Sequence, residues 1–564
     1  MISDSFFVSF RLVSHPTTTL NPFDDLASFD VTMSEGVAHP QAVDDEVLDS
    51  VAPVEGTKPE YVKAFRLADA FTNVELTDGQ RALIPKLQSF LLSKDIGIFL
   101  LKGYAGTGKT FMMKGVVDYL NRQHRDVVLL APTGRAAKVL GTRVKRRAST
   151  MHSHLYGKTE EANPGDPEDF RLVSELTVNS DASDTVYIVD EASMVSDREV
   201  EGGLLRFGSG RLLYDFFQYV ADGQGQITRK VIFVGDVAQL PPVHMKSSPA
   251  LDPQYLFDEY GIKARDHLLA DIVRQEADSG IMRTALDLRQ ALNRGDYRSP
   301  TVPFSAFDDL TPVSARTMAK ACYEVMGRKL TRHAIMIAHS NKRVQQLNFA
   351  FRACHFPGFE DVTVGDKLMV IMNTRINNQF VCNGDFAQVM RVGDVVTRTV
   401  ELPKQRTKSG ALIKPEPMVL RFRDVTLRFR NEEGELFMTD GRIIENELET
   451  PEAPNLSLII KALLIDFTRR HPTLRKKTQE YQDALAQDPY VNAWHVRYGY
   501  AVTCHKSQGG EWDHVFVDCA WRRAERGHEY FRWLYTAVTR AKKHLYLANA
   551  PRDHVDDYDY WSMT

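Results

Sequence analysis

Short apolar runs rich in β-branched residues alternate with helical stretches along most of this chain. Each of Ile98–Leu101, Val127–Leu130, Val186–Val189 and Val231–Val234 stops at a polar or glycine-rich segment. Buried parallel strands have this continuous apolar character, and functional groups collect at their carboxyl ends. The same kind of run returns in the second half, at Ala334–Ala338, Val515–Val517 and His544–Leu547. The pattern predicts an α/β fold with two parallel-sheet lobes.

Two segments interrupt this alternation. The polar segment Tyr156–Asp184 has a turn-rich tip at Asn163–Pro167, which predicts a β-hairpin. A long insertion lies between Asp385 and about Trp494. Apolar and polar residues alternate over residues 418–429, which predicts a small β module, and residues 455–486 predict helix interrupted at a proline.

Charge is distributed unevenly along the chain. The 564 residues carry a formal net charge of −4, but residues 1–60 hold 11 Asp/Glu against 2 Lys/Arg. The remaining 504 residues therefore hold 68 basic and 63 acidic side chains, a balance of +5. We expect a mostly disordered acidic tail, in which Phe6–Val8 and Phe10 could dock on the folded body. A mildly basic body suits a polyanion-binding groove.

Composition places the chain among ordinary globular proteins of a reducing compartment. It is 43% hydrophobic and 26% charged, and no apolar run approaches the length of a membrane span. The five cysteines are an odd number without a C-x-x-C pair, which disfavours a disulfide framework. With no secretory signal at Met1, we expect a cytoplasmic protein that does not bind membranes.

A phosphate-loop motif, G-x-x-x-x-G-K-T, occupies Gly103–Thr110 between an apolar run and a helical stretch. Its glycines allow backbone N–H groups to surround a β-phosphate at the positive end of the following helix. Lys109 is predicted to reach the β- and γ-phosphates, and the Thr110 hydroxyl is predicted to bind Mg²⁺. The other predicted nucleotide-contacting residues of the loop are Gly103, Ala105, Gly106, Thr107 and Gly108. The chain is therefore predicted to bind a nucleoside triphosphate.

Two further polar motifs follow predicted strands. Asp190 and Glu191 come directly after Val186–Val189, where a carboxylate can hold Mg²⁺ and its neighbour can deprotonate water. Asp190 is the predicted metal ligand and Glu191 the predicted general base. Gln239, in the loop after Val231–Val234, is predicted to bond the γ-phosphate or the attacking water.

Transfer of a phosphoryl group develops negative charge, which arginines from a second lobe can stabilise. Arg274 and Arg540 are the candidates. Alternatively, each is a surface ion pair, as single arginines often are. His152 and His154 form an H-x-H pair, but no third ligand lies near them in sequence, so zinc is the less favoured explanation.

Taken together, these motifs resemble superfamily 1 helicases of class B, specifically their RecD-like and Dda-like members. The resemblance extends over roughly Leu76–Ala548, excluding much of the insertion. Further matching segments are Leu76–Gln80, Ala131–Lys138, Ala148–Ser153, Ser340–Lys342, Asn383–Asp385 and Thr503–Glu511. It implies two RecA-like lobes in tandem, an inserted β-rich (SH3-like) module and a strand-separating β-hairpin pin.

The resemblance also assigns roles by residue. It implies that Gln80 reads the adenine, that Glu511 lies near the ribose, and that Gln239, Arg274 and Arg540 surround the γ-phosphate, with Arg540 as the arginine finger. Phe170 is implied as a wedge in the pin, although an aromatic residue in a short hairpin more often packs locally. The residues implied to line a groove for single-stranded DNA are Pro132, Thr133, Thr150, His152, Thr503, His505 and Lys506.

These inferences divide the chain into a tail, two lobes and an insertion. The predicted boundaries are 1–60 for the tail, 61–265 for the first lobe with the pin at about 156–184, 266–395 and 495–564 for the second lobe, and 396–494 for the inserted module. The expected partners are single-stranded and forked duplex DNA, and a single-strand-binding, replication or recombination protein is a candidate.

The predicted function is ATP-dependent unwinding of DNA by a monomer, with 5′-to-3′ polarity implied by the resemblance alone. A single-strand translocase or a motor subunit of a recombination nuclease is the nearest alternative. A phosphate-loop kinase or nucleotide switch, and a non-enzymatic adaptor, are less favoured because they need no second lobe or intact hydrolytic residues. Replication, recombination and repair remain open as pathways, and a phage origin is suggested by the resemblance only.

Overall fold

The computed structural model describes residues 7–8, 65–94, 97–161, 172–199, 205–222, 225–271, 279–297, 302–327, 333–376, 379–381, 383–402, 405–406, 412–413, 416–430, 435–449, 456–475, 478–521 and 527–550. The predicted disorder of residues 1–60 lies outside this part, except at Phe7–Val8 (β1). This short strand pairs in parallel with Asn373–Thr374 of the second lobe.

The first lobe is built on strands that alternate with helices. Its elements are α1 (Asp78–Leu92), β2 (Ile98–Gly103), α2 (Lys109–Arg122), β3 (Val127–Ala131), α3 (Gly134–Val144), β4 (Ala148–Thr150), α4 (Met151–Leu155), β5 (Tyr156–Glu161), β6 (Leu172–Leu176), β7 (Val186–Val189), β8 (Leu205–Phe207), α5 (Leu212–Val220), β9 (Lys230–Gly235), α6 (Pro253–Tyr260) and β10 (Ala264–Leu269). Short 3₁₀ helices lie at Leu67–Phe71, Ala192–Met194 and Pro249–Leu251.

The main sheet of this lobe is parallel throughout. Its strand order in the described chain is β10-β2-β9-β7-β3-β4. The apolar runs expected to be strands are buried on both faces, as in β2 and β7. The carboxyl ends of β2, β7 and β9, which are neighbours through β9, therefore bring the phosphate loop, Asp190 and Asp236 to one edge of the sheet.

A β-hairpin is present in this lobe at the turn-rich segment for which it was predicted. β5 pairs with β6 in antiparallel orientation, and β8 joins β6 in parallel. The tip of the hairpin, including Phe170, lies outside the described residues, so the wedge role stays a prediction.

The second lobe and its insertion follow. Their elements are α7 (Gly280–Arg294), β11 (Leu310–Val313), α8 (Met318–Met326), β12 (Ala334–Ala338), α9 (Asn341–His355), β13 (Lys367–Val370), β14 (Asn373–Ile376), β15 (Gln379–Val381), β16 (Phe386–Val400), β17 (Gln405–Arg406), β18 (Leu412–Ile413), β19 (Met418–Arg430), β20 (Leu436–Ile444), α10 (Asn446–Glu449), α11 (Leu456–Arg470), α12 (Gln479–Gln487), β21 (Val496–Tyr498), β22 (Ala501–Thr503), α13 (Cys504–Ser507), β23 (Trp512–Asp518), α14 (His528–Val538) and β24 (Ala541–Ala548).

A second parallel sheet forms the core of this lobe, with the order β11-β24-β23-β12-β22 in the described chain. The two parallel sheets with helices between their strands agree with the predicted tandem RecA-like lobes. Among the described residues, no helix is long and apolar enough to cross a membrane.

The insertion contains an antiparallel sheet, which also includes β13 and β21 on either side of the insertion in sequence. Within the described residues its order is β20-β19-β16-β13-β21, and helix α11 packs on it through Ile459 and Leu463. This open order does not confirm the SH3-like form that was expected. Two predicted boundaries also fall inside strands, since β10 runs past residue 265 and β16 runs past residue 395.

Candidate nucleotide site and strand-binding face

The phosphate loop turns sharply between β2 and α2. Gly106 and Gly108 have φ angles of 75° and 79°, in the left-handed region that favours glycine. The Lys109 ammonium donates to the carbonyls of Gly103 and Tyr104, both at 2.8 Å. The loop thus holds its lysine beside the N-terminus of α2, an arrangement that suits a phosphate.

Gln80 lies against this loop. It is buried in the first turn of α1, where its Oε1 accepts from the Thr77 N–H at 3.1 Å. Its Nε2 donates to the Thr107 carbonyl at 3.1 Å. The side chain therefore connects the cap of α1 to the phosphate loop, while its adenine-reading role stays a prediction.

Asp190 and Glu191 occupy the turn after β7. Glu191 has a φ of 52°, and its N–H donates to Asp190 Oδ1 at 2.9 Å. Burial raises the pKa of Glu191, Arg540 and Lys109 oppose this shift, and the carboxylates of Asp190 and Asp236 add to it. The structure thus brings Lys109, Glu191 and Arg540 together from distant parts of the chain.

The two residues predicted to bind Mg²⁺, Thr110 and Asp190, each carry an oxygen donor. The pKa of Asp190 is raised by burial, with the Glu191 N–H, Lys109 and Arg143 opposing the shift. Thr110 is the second residue of α2, one position after Lys109. A hydroxyl and a carboxylate are the oxygen donors that Mg²⁺ takes alongside substrate phosphates.

Gln239 is buried in the loop after β9, and its Oε1 has no hydrogen-bond partner in the described chain. Such a buried acceptor is costly unless another group satisfies it. The O–H of a water molecule would do so, which fits the predicted bond of Gln239 to the attacking water; this role stays a prediction.

Arg540 follows α14 of the second lobe and is buried. Its Nε donates to the Thr536 carbonyl at 3.0 Å, and its Nη1 donates to the Gly510 carbonyl at 3.3 Å. The charge of this guanidinium acts on the Glu191 carboxyl of the first lobe. Arg274 lies outside the described residues.

Helix α14 also binds the loop after β9 directly. The Arg532 guanidinium donates to the carbonyls of Gln239, Lys246 and Val237 at 2.8, 2.9 and 3.1 Å. The Leu240 N–H donates to Thr536 Oγ1 at 2.9 Å. Sequence reasoning missed Arg532, because an arginine two turns before Arg540 has no distinguishing local pattern.

Helix α3 of the first lobe makes a second set of contacts with the second lobe. Arg135 donates to the Gly384 carbonyl at 2.6 Å and lies 4.4 Å from the centre of the Phe386 ring and 5.0 Å from that of Trp512. Burial lowers the pKa of Arg135 to about 10. Lys138 pairs with Asp385 at 2.6 Å. These contacts also escaped sequence reasoning.

Glu511, predicted to lie near the ribose, forms ion pairs with Arg143 at 2.5 Å and with Lys542 at 3.2 Å. Burial opposes ionisation of Glu511, but these two cations outweigh it and lower its pKa. The carboxylate thus links the lobes at the edge of the cleft.

Three threonines predicted to contact DNA are helix N-caps. Each hydroxyl accepts a backbone N–H at the start of a helix that follows a strand: Thr133 from Ala136 at 3.2 Å, Thr150 from Ser153 at 3.1 Å, and Thr503 from Lys506 at 3.4 Å. Pro132 directly precedes Thr133, between β3 and α3. These hydroxyls retain a local structural function whatever else they bind.

The predicted strand-binding histidines and lysine differ in their surroundings. His152 packs against Phe207 and Tyr156, with ring centroids 4.9 and 5.7 Å away, and burial lowers its pKa to about 4. Burial also lowers the pKa of His505, and it lowers that of Lys506 to about 8. His154, the other histidine of the H-x-H pair, has its Nε2 3.4 Å from Asp181 Oδ2. No metal-holding group of three or more His, Cys, Asp or Glu occurs in the described part of the chain.

Two known protein families match this chain, one in the first lobe and one in the second. Residues 75–207 match a family described as an AAA domain, and residues 498–548 match a UvrD-like helicase C-terminal domain. The first match contains the phosphate loop and Glu191, and the second contains Thr503, Glu511 and Arg540.

Curated relatives share parts of the chain. The ATP-dependent RecD2 DNA helicase of Deinococcus radiodurans is 35% identical over 147 residues, which is 26% of this chain and 16% of that protein. The ATP-dependent DNA helicase dda of Enterobacteria phage T4 is 22% identical over 453 residues, covering 78% of this chain and 92% of that protein. A Pif1 helicase from Bacteroides, solved with ADP-AlF3 and ssDNA, aligns over 86% of this chain and 96% of its own, with 16% identity and a TM-score of 0.41. This chain therefore spans a small part of RecD2 and most of Dda.

Proposed function

We propose that this chain, a superfamily 1 class B helicase by its motifs and its two matched domains, is an ATP-dependent motor that moves along single-stranded DNA and unwinds duplex DNA. The observation that carries the proposal is the composition of the nucleotide cleft. Glu191, a half-buried residue of the first lobe, interacts electrostatically with Lys109 of the same lobe and with the buried Arg540 of the second. Because the cleft needs both lobes, changes at the nucleotide can change how the lobes grip a strand.

ATP with Mg²⁺ is the proposed substrate complex, and it supplies the phosphoryl group transferred to water. Lys109 would bind its terminal phosphates, and Thr110 with Asp190 would hold the metal ion. Glu191 would accept the proton of the attacking water, a task for which a carboxyl with a raised pKa is suited. Arg540 would stabilise the charge that develops on the transferred group.

The proposed DNA path follows the helix caps on both lobes. Thr133 follows β3 of the first sheet, Thr150 is the last residue of β4, and Thr503 is the last residue of β22 in the second sheet. Hydroxyls and backbone N–H groups bind phosphates without reading bases, as a motor that moves over any sequence requires. Lys506 adds a cation next to Thr503.

Polarity, partners and location complete the proposal. We infer 5′-to-3′ movement, a monomer, forked DNA as substrate, and a cytoplasmic setting, which would be that of the bacterial host if a phage encodes the chain. A single-strand-binding or recombination protein is a candidate partner. The alternative is a single-strand translocase or a motor subunit of a nuclease. It would also hydrolyse ATP on single-stranded DNA, but it would leave duplex DNA intact.

The test is ATP hydrolysis with and without a single-stranded oligonucleotide, followed by strand separation on forks with either a 5′ or a 3′ single-stranded tail. Lys109→Ala, which removes the phosphate-binding ammonium, is the inactive control. We expect strong stimulation by DNA and unwinding from the 5′ tail. Stimulation without unwinding would support the translocase, and no stimulation would refute the proposed DNA path.

A further inference from the structure

A tyrosine hydroxyl of the second lobe lies on the phosphate loop of the first. Tyr535, in α14, is 1% exposed. Its hydroxyl accepts from the Ala105 N–H at 3.1 Å and donates to Asp236 Oδ2 at 2.7 Å. Ala105 follows β2 and Asp236 follows β9, and these strands are neighbours in the first sheet. One hydroxyl therefore connects the ends of two adjacent strands to the opposite lobe.

The direction of both hydrogen bonds is determined by protonation. Burial, together with the nearby Asp236 carboxylate, raises the pKa of Tyr535 well above its ordinary value. The phenol is thus neutral at physiological pH and donates its only proton to Asp236. Its oxygen remains an acceptor for the Ala105 N–H.

A second, independent contact joins the same loop to the second lobe. The Arg289 guanidinium of α7 lies 4.1 Å from the centre of the Tyr104 ring. Tyr104 and Ala105 are adjacent loop residues, so side chains from two helices of the second lobe touch one short stretch of the loop.

That stretch is sensitive to the position of Lys109. The carbonyls of Gly103 and Tyr104 accept hydrogen bonds from the Lys109 ammonium, and Ala105 is the next residue. A phosphate that drew the ammonium away would release both carbonyls and would allow the Ala105 peptide to move. Such a movement would lengthen or shorten the bond to Tyr535.

We propose that Tyr535 is a positioning residue that transmits the state of the phosphate loop to the second lobe, and so couples nucleotide binding to strand binding. This inference rests on the proposed function, since it needs a strand-binding site to couple to. Arg532 and Thr536 hold the same helix on the loop after β9. A displacement of Tyr535 would therefore move α14 rather than the side chain alone.

The chain contains a closely matched control. Tyr500 is also fully buried, and its hydroxyl donates to Asp366 Oδ1 at 2.8 Å and accepts from the Lys367 N–H at 2.9 Å. Both of its partners lie in the second lobe. Tyr535→Phe and Tyr500→Phe thus remove the same pair of hydrogen bonds, but only the first removes a link between lobes.

The experiment measures the affinity of full-length protein for a fluorescent, non-hydrolysable ATP analogue with and without saturating oligothymidylate. The ratio of the two dissociation constants is the coupling factor, which is typically about 5–150 for linked sites. We expect Tyr535→Phe to reduce the wild-type factor at least about fivefold and Tyr500→Phe to leave it unchanged. Thermal unfolding of both variants checks that they remain folded.

The outcomes separate the two proposals. A wild-type factor in Tyr535→Phe, or an equal loss in Tyr500→Phe, would overturn the role of Tyr535 and leave the proposed function intact. A wild-type protein whose nucleotide affinity does not respond to the oligonucleotide would overturn both.

Discussion

Loss of Arg135 should open the nucleotide cleft. Its guanidinium donates to the Gly384 carbonyl and lies over the rings of Phe386 and Trp512, all in the second lobe. A hydrogen bond from a charged group contributes about 1.5–3 kcal/mol. Each cation–π contact contributes about 0.5–1 kcal/mol when partly exposed. Rehydration of the guanidinium in the open form offsets part of this sum, because burial already lowers its pKa to about 10.

Arg135→Ala should therefore destabilise the closed arrangement of the two lobes by about 3 kcal/mol. This corresponds to a decrease of about two powers of ten in the ratio of closed to open protein. Since Glu191 and Arg540 meet only when the lobes are together, kcat/KM for ATP should fall as much as about 100-fold. The measurement is steady-state ATP hydrolysis against ATP concentration, with and without oligonucleotide, combined with thermal unfolding to confirm the fold.

Arg81→Ala is the matched control for this prediction. Arg81 forms an exposed ion pair with Asp78 within α1, and such pairs contribute little. Its removal should leave kcat/KM near the wild-type value. The interaction energies predict that kcat/KM differs by about two powers of ten between Arg135→Ala and Arg81→Ala. A difference of less than about threefold would show that Arg135 does not hold the lobes together.

Three further outcomes are expected. Glu191→Gln should lower kcat by about 10²–10⁴ while retaining nucleotide and DNA binding, because it removes the proposed general base; near-normal turnover would show that another group is the base. His505→Ala should weaken binding of a labelled oligonucleotide more than binding of an ATP analogue, and the opposite order would place His505 at the nucleotide. Lys506 loses its proton as pH rises through its pKa of about 8, so DNA affinity should fall by up to about tenfold between pH 7 and 9. Lys506→Arg, which stays charged, should flatten this dependence, and an unchanged slope would remove Lys506 from the proposed DNA path.

Sequence patterns predicted the strands of the first lobe because these are short, apolar on both faces and directly followed by polar motifs. β2, β3, β7 and β9 all match such runs. The predicted end of this lobe, residue 265, falls inside β10, an edge strand whose residues alternate in burial and give no continuous apolar run. The predicted start of the insertion, residue 396, falls inside β16, a long strand that pairs with β13 near its start and with β19 along most of its length.

Some residues of the candidate nucleotide site could be predicted from the sequence. Lys109, Asp190 and Glu191 stand out because each lies in a short motif that follows a strand. Gln239 was readable for the same reason. Arg135, Arg532 and Tyr535 carry no such signal, because a helix-surface arginine or a helix-core tyrosine is usual in any α/β protein.

The sequence by itself determined the strand–loop–helix units and the residues presented at their carboxyl ends, because these depend on local periodicity and on neighbours within a few positions. Only the tertiary structure decided how the carboxyl ends of the strands in the first lobe meet the residues of the second lobe. Ala105 and Tyr535 are 430 residues apart, and Arg135 and Gly384 are 249 apart. Contacts of this kind depend on the packing of whole lobes, which no local pattern of apolar and polar residues specifies.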